Sequence, residues 1–155
     1  MKYWLMKSEP DEFSIDDLLN AEKQTTAWQG IRNYQARNFL RDDVQLNDLV
    51  LFYHSSCKVP AIVGVAKITQ AASIDITAFD IQSKYYDAKS DPNNPRWFQV
   101  DLSYVEKFAK QLTLTELKAD PALAEMVLVT KGTRLSVQPV TEQEFMHIKR
   151  LAQAS

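Results

Sequence analysis

Two apolar segments near the middle of the chain constrain its fold most strongly. They are residues 49–53, with the sequence LVLFY, and residues 61–68, with the sequence AIVGVAKI. Both are short and rich in β-branched or aromatic residues, and the connection between them ends at Pro60, a combination typical of adjacent strands. The pair therefore predicts two neighbouring strands of a sheet. Gly64 inside the second strand predicts a bulge or a close approach of another backbone.

Shorter patterns place further strands around this pair. Residues 3–6 are apolar throughout, which predicts a short strand buried on both faces. Residues 96–102 and 134–140 alternate between apolar and polar side chains, as half-buried strands do. Together with the helices below, these segments predict one α+β domain over residues 1–155. Its curved or barrel-like mixed sheet is expected to be flanked by short helices.

Helix starts are marked by residues that can cap a helix. Ser14, Thr113 and Thr141 each precede an acidic residue three positions later, which is the pattern of a capping box. Asn33 is a further candidate N-cap, for a helix over residues 34–41. The sequence thus predicts short helices between the early strands and again near the end of the chain.

Composition excludes several kinds of site. The chain of 155 residues has 3 glycines, and Gly30, Gly64 and Gly132 lie too far apart to build a glycine-rich phosphate loop. A single cysteine and two histidines are too few for a disulfide or a cysteine- or histidine-rich metal centre, so neither metal nor cofactor is predicted. No apolar run approaches the about 20 residues of a membrane span. We therefore expect a soluble, cytoplasmic and monomeric protein.

The distribution of charge is more informative than its total. The net charge is −2, which argues against a protein that coats nucleic acid by bulk attraction. Residues 23–41, however, contain four basic residues and no acidic one. The first part of this window, residues 23–30, is polar and ends in a glycine, so we expect a loop. A local basic patch can contact phosphates, and Arg32 and Arg37 are its candidates.

Aromatic residues in loops and at strand ends give the clearest functional signal. Residues 83–95 predict a long polar loop, which in compact domains is often functional. Flat side chains stack on nucleobases, and those placed to do so are Trp28, Tyr34, Tyr53, Tyr85, Tyr86 and Trp97. The alternative is that such residues fill the core with a polar tip outward. For Trp28, in the predicted loop, the residues alone leave both alternatives open.

A complete catalytic set is not apparent in the sequence. His54 and Ser55 are adjacent, and neighbours on a strand point to opposite faces, so they do not form a base–nucleophile pair. A hydrolase that acts on modified nucleosides through His54 with Asp87 or Glu9 stays as an alternative. A protein that binds a free nucleotide or another planar small molecule is a further alternative.

Several blocks of the sequence, in order along the chain, resemble the signature blocks of the EVE domain over residues 2–150. These blocks are MKSEP at 6–10, WQGIRNYQARN at 28–38, FYHS at 52–55, YYD at 85–87, PRWFQVD at 95–101 and RLSVQPV at 134–140. The resemblance implies a PUA-like fold, similar to that of the YTH domain, which reads a methylated adenine through an aromatic cage. It also implies a non-catalytic module that takes a flipped, modified base of DNA or RNA into a pocket.

On this resemblance we expect the pocket to lie between residues 7–9, 28–34 and 53–55. Arg32, Arg37 and Lys7 are expected to hold the phosphates beside it. The residues that the resemblance and the aromatic candidates together assign to the base pocket are Lys7, Ser8, Glu9, Trp28, Asn33, Tyr34, Tyr53, His54, Ser55, Tyr86 and Trp97.

Overall fold

A mixed β-sheet organises the molecule. The computed structural model describes residues 1–130 and 134–153, so Gly132 lies outside the described residues. The strands are β1 (Tyr3–Ser8), β2 (Thr25–Trp28), β3 (Leu49–His54), β4 (Ala61–Ile74), β5 (Phe98–Thr113) and β6 (Val137–Val140). Their order across the sheet is β2-β5-β4-β3-β1-β6. β1 and β3 are parallel, whereas the other pairs are antiparallel. The α+β class with a mixed sheet is confirmed, and the sheet is open, with β2 and β6 at its edges.

Short helices cover the sheet, and local capping explains where they begin. They are α1 (Ile15–Asn20), α2 (Tyr34–Asn38), α3 (Leu114–Ala119) and α4 (Glu142–Gln153). The capping boxes predicted at Ser14 and Thr113 are both formed. The Asn33 side chain accepts a hydrogen bond of 2.9 Å from the Ala36 backbone, which confirms the predicted N-cap. A π-helical turn over Phe39–Asp43 continues α2.

Alternation along the central strands divides the apolar residues between two faces of the sheet. In β1, Trp4 and Met6 belong to one core cluster and Leu5 belongs to the other. In β3, Val50 and Leu51 are divided in the same way. Helices α1 and α2 pack on the first cluster, and α3 and α4 pack on the second. The buried apolar segments predicted from the sequence are therefore the centre of both cores.

The prediction of a loop over residues 23–30 is wrong in its central part. Strand β2 lies there and pairs with β5, so that Trp28 is opposite Val100. It is an edge strand, and two of its residues, Thr25 and Thr26, are polar but β-branched. Such residues suit a strand with one solvated side, and their polarity alone resembles that of a loop.

Gly64 lies where β4 and β5 come closest, and the register of that pair shifts beside it. A Cβ atom on Gly64 would lie 2.3 Å from the backbone oxygen of Glu106. The predicted close backbone approach is therefore confirmed.

We expect Gly64→Ala to destabilise the protein by about 1–3 kcal/mol, because the two backbones must move apart to admit the methyl group. Urea denaturation should show a lower midpoint with an unchanged m-value. A midpoint equal to that of the wild type would contradict the close approach.

Candidate functional site

A cavity of about 430 Å³ opens beside the ends of β1 and β2. Its volume falls within the range of about 300–1,000 Å³ that is usual for small-ligand sites. The lining combines polar side chains with aromatic and backbone groups. The residues are Lys7, Ser8, Glu9, Glu12, Phe13, Thr26, Ala27, Trp28, Gln29, Gly30, Ile31, Tyr85 and Ser136.

Trp28 lines this cavity and is also part of the core. It is the last residue of β2 and is only 8% exposed. Its ring meets the edges of Phe13 and Phe52, with ring centroids 6.4 and 5.6 Å away. The sequence left open whether Trp28 stacks on a base or fills the core. In the structure the side chain is buried, and its remaining surface faces the cavity.

Tyr85 is a second aromatic wall, and its position depends on Gly30. Gly30 has φ of +83°, and a Cβ atom there would lie 2.5 Å from carbon atoms of the Tyr85 ring. The ring therefore rests directly against the glycine backbone. Both the backbone conformation and the contact require glycine at this position.

Arg32 holds the Tyr85 loop in place. Its Nε and Nη2 donate to the backbone oxygen of Tyr85, at 3.1 and 2.6 Å. Nη1 donates to the Ile31 oxygen and to Asp75, both at 3.1 Å, and Nη2 also donates to Thr77 Oγ1 at 3.3 Å. These bonds occupy all five donors of the guanidinium group. The geometry thus makes Arg32 an internal tether, and its predicted phosphate contact stays a prediction.

Asp75 is the buried counter-charge of this tether and is 0% exposed. One carboxylate oxygen accepts from the Gly30 backbone at 2.8 Å and from Arg32, and the other accepts from the Thr77 backbone and hydroxyl. Burial raises the pKa of Asp75, but the hydrogen bonds from Thr77, Gly30 and Arg32 outweigh it and hold that pKa below its ordinary value. Asp75 is therefore charged. It binds both Gly30, against which the Tyr85 ring rests, and Arg32, which holds the Tyr85 backbone.

Four polar residues of the lining lie at or just after the end of β1: Lys7, Ser8, Glu9 and Glu12. Ser8 Oγ donates to the Phe13 backbone oxygen at 2.5 Å, and Glu12 forms an ion pair with Lys84. Lys7 forms no ion pair among the residues described, and its Nζ lies 6.0 Å from the Tyr53 ring centroid. Burial lowers the pKa of Lys7. The amino group of Lys7 therefore has no carboxylate partner among the described residues and lies at the cavity.

Residues 53–55 do not line the cavity, although the sequence predicted that they would. Tyr53 is 2% exposed and belongs to the core cluster on the opposite face of the sheet. His54 Nε2 accepts a hydrogen bond of 3.1 Å from the Ile15 backbone, at the first turn of α1. The Ser55 backbone donates to the Ser8 oxygen at 2.9 Å. This segment thus contacts Ile15 and the lining residue Ser8 without lining the cavity itself.

Four other predicted pocket residues, Asn33, Tyr34, Tyr86 and Trp97, do not line the cavity. Asn33 is occupied as the cap of α2. Trp97 is 6% exposed and stacks on Tyr34, with ring centroids 4.9 Å apart and planes 23° apart. Tyr86 is 42% exposed and does not line the cavity.

Arg37, the second predicted phosphate ligand, does not line the cavity either and packs on Tyr34. Its guanidinium carbon lies 4.9 Å from the Tyr34 ring centroid. Its Nη1 donates to the Arg96 backbone oxygen at 2.7 Å, and its Nε donates to Asn38 Oδ1 at 2.8 Å.

The cavity therefore joins Lys7, Ser8, Glu9 and Trp28 from the predicted set. Gln29 and Ile31 lie within the predicted block 28–34, although neither was named as a pocket residue. Sequence reasoning missed the lining residues outside the predicted blocks, which are Glu12, Phe13, Thr26, Ala27 and Ser136, and it assigned Tyr86 rather than its neighbour Tyr85 to the pocket. The YY pair was a usable signal, because Tyr85 was already a candidate for stacking. Nothing in the local sequence says which of two adjacent tyrosines turns inward.

Two further features can be stated for residues 1–130 and 134–153. No three histidine, cysteine, aspartate or glutamate residues there are grouped so that they could hold a metal ion. Of the helices described, none is long and apolar enough to cross a membrane.

Comparison with known proteins gives consistent matches over the whole chain. The model of a family described as the EVE domain matches residues 2–151. Thymocyte nuclear protein 1 of Rattus norvegicus is 44% identical, over 98% of this chain and 74% of its own. The Homo sapiens protein of that name is also 44% identical, over 92% of this chain and 70% of its own.

Solved structures agree with this result. A Pseudomonas putida protein is 49% identical and has a TM-score of 0.92, with 97% of this chain and 99% of that chain covered. Human THYN1 protein, solved in complex with 5-methylcytosine-containing DNA, is 41% identical and has a TM-score of 0.94. That match covers 100% of this chain and 99% of the human one.

The relatives also correct one prediction. We expected a cytoplasmic protein from the absence of targeting or membrane signals. That prediction is wrong by this comparison, because the curated relatives are named as nuclear proteins. Composition and apolar runs carry no signal that separates these two compartments.

Trp28→Ala should cost about 3–5 kcal/mol of unfolding free energy, because the indole packs against Phe13 and Phe52. Trp28→Phe should cost clearly less, since most of the packed surface is kept. Chemical denaturation of both variants tests this. A loss below about 1 kcal/mol for Trp28→Ala would show that the ring is not a core element.

Stability should fall in acid partly through His54. Its pKa lies below the ordinary value because of burial, and Lys107 adds to this effect, against the opposing charges of Asp16 and Asp17. Since the unfolded chain binds the proton more readily, stability is highest above about pH 6.5 and falls as the pH decreases below it. His54→Gln retains an acceptor for the Ile15 backbone without titrating.

The melting temperature of His54→Gln should therefore decrease less than that of the wild type between about pH 7.5 and about pH 5.5. Thermal unfolding at both pH values measures the difference, and His147 is unchanged in the two proteins. Equal losses would show that His54 does not titrate differently on folding.

Proposed function

The chain belongs to the EVE domain family, and from this membership and the cavity we propose that it is a non-catalytic reader of 5-methylcytosine in DNA. The whole of residues 1–155 is proposed to act as one domain that takes the flipped base into the cavity. The observation that carries the proposal is the Tyr85 ring held against Gly30, in the same cavity as Trp28. Two aromatic surfaces and a set of polar groups are what a flipped base requires.

The expected energies are consistent with such a reader. Extrusion of a base costs a few kcal/mol and is least costly in a single strand or a damaged duplex. Stacking returns about 1–3 kcal/mol for each base–aromatic contact. Burial of one methyl group adds about 0.8 kcal/mol, which corresponds to about a fourfold preference for the methylated base.

The comparison supports the choice of ligand. The human THYN1 structure was solved with DNA that contains 5-methylcytosine. This chain shares that fold over its full length at 41% identity. RNA as the ligand and a monomeric state stay predictions.

The residues around the cavity favour binding over catalysis. Ser8 Oγ donates to a backbone oxygen, and Glu12 is paired with Lys84. His54 is engaged by the Ile15 backbone and does not line the cavity. The hydrolase alternative, in which His54 is the base, is therefore disfavoured.

We propose that Lys7 supplies a cationic contact to a phosphate or to the base.

The direct test is the affinity for matched oligonucleotides. Fluorescence polarisation should compare one DNA strand that carries a central 5-methylcytosine with the same strand that carries cytosine. We expect about fourfold tighter binding to the methylated strand, for the reason given above. Equal affinity for the two strands would contradict the proposal.

The same assay separates the alternatives. Competition by free 5-methylcytidine at concentrations near those of the oligonucleotide would favour a small-molecule binder. Tighter binding to the matching RNA strand would favour an RNA ligand. A change in the mass of the modified nucleoside after incubation would indicate an enzyme.

Tyr85→Ala should weaken binding of the methylated strand by about 5- to 150-fold, because it removes a stacking surface worth about 1–3 kcal/mol. Tyr86→Ala is the matched control, since Tyr86 is exposed and does not line the cavity. Its affinity should equal that of the wild type. If Tyr86→Ala impairs binding and Tyr85→Ala does not, the cavity is not the base pocket.

A further inference from the structure

Ring and guanidinium groups form a continuous series of contacts from the cavity to the outer surface. The series begins at Tyr85, whose ring centroid lies 5.7 Å from the Arg32 guanidinium carbon. That carbon lies 5.3 Å from the Trp97 ring, and Trp97 stacks on Tyr34 at 4.9 Å. Arg37 completes the series, 4.9 Å from the Tyr34 ring. The cavity wall and the outer surface are thus one packed unit.

The outer end of this series is exposed and cationic. Tyr34 is 52% exposed despite its stacking on Trp97. Arg96 Nη1 lies 3.4 Å from the Tyr34 hydroxyl, and the backbone oxygen of Arg96 accepts from Arg37. We call Tyr34, Arg37 and Arg96 the outer platform.

Neighbouring acids leave much of this positive charge uncompensated. Asp87 is 4.0 Å from Arg96 Nε, but it also accepts from the Trp97 indole at 2.7 Å. Asp42 also interacts electrostatically with Arg37, but it forms no ion pair with it and is bound by two nitrogens of Arg41, at 2.7 and 2.9 Å. Within residues 1–130 and 134–153, Arg37 forms no ion pair, and its Nη2 has no hydrogen-bond partner.

We propose that the outer platform binds the sugar–phosphate backbone of the nucleotides next to the flipped base. This inference rests on the proposed function, because it assigns the path of the same strand. A strand that delivers a base to the cavity must continue past its rim, and each nucleotide beyond the flipped one brings a further phosphate. The contacts from Tyr85 to Arg37 connect the cavity wall to the outer platform, so a strand that leaves the cavity on this side meets the platform. Guanidinium groups with free donors suit phosphate oxygens.

The outer platform and the cavity contribute differently to binding. Phosphate contacts contribute affinity that depends on salt and not on the base, whereas the cavity contributes discrimination between bases. The outer platform therefore binds methylated and unmethylated strands equally. A free nucleotide lacks the neighbouring phosphates and gains nothing from it.

The experiment uses Arg37→Gln, which removes the charge and keeps a donor for the Arg96 oxygen. Affinities for the methylated and unmethylated single strands are measured between about 50 and about 200 mM salt. The variant should bind both strands more weakly by the same factor. Its salt slope should be smaller by about 0.7, or about 2.6-fold in affinity over this fourfold range. Arg37→Lys should restore the slope.

Lys118→Gln is the charge control, because Lys118 is exposed on α3, which packs on the opposite face of the sheet. It should leave the affinity and the salt slope unchanged. Arg96→Gln, tested in parallel, provides a second variant of the outer platform, and thermal unfolding verifies that each variant is folded.

Two results would overturn the inference. One is an unchanged affinity and salt slope for Arg37→Gln and Arg96→Gln. The other is a changed ratio of affinities for methylated and unmethylated strands, since the arginine would then act on the base. If the wild type itself shows no preference for the methylated strand, the proposed function fails, while the salt slopes still test the outer platform.

Discussion

The buried carboxylate of Asp75 is the interaction on which the site depends. It lies directly after β4 and binds groups from both sides of the cavity wall: the backbone of Gly30, the guanidinium of Arg32 and the hydroxyl of Thr77. Removal of a partner from such a pair leaves an uncompensated buried charge, which is strongly destabilising. Arg32 in turn holds the Tyr85 backbone. The shape of the cavity therefore depends on a carboxylate that is itself fully buried.

The elements that sequence predicted well are those set by local interactions. The capping boxes at Ser14 and Thr113 involve residues three positions apart, and the strands around residues 49–53 and 61–68 follow from their own apolar side chains. Strand β2 was missed because its stability comes from pairing with β5, whose partner residues lie more than 70 positions away. Local polarity therefore did not identify it.

The same distinction explains the candidate site. Arg32 lies in a window without acidic residues, so local charge suggested a free cation. Its partner Asp75 is 43 residues distant, and only the folded chain reveals that the charge is neutralised. Arg37 has no such partner among the described residues. Two arginines from one window thus have different surroundings, and the difference depends on tertiary structure.

The position of β1 in the sheet has a consequence for the synthesis of the protein. β1, at the start of the chain, lies between β3 and β6, and β6 is formed by Val137–Val140. The Lys7 backbone donates to the Ser136 oxygen at 2.9 Å, and both residues line the cavity. A ribosome must therefore release the chain as far as Val140 before β6 can pair with β1 and the cavity can close. Contacts between distant segments slow folding. A translation product that ended before β6 would carry the aromatic wall without a completed pocket.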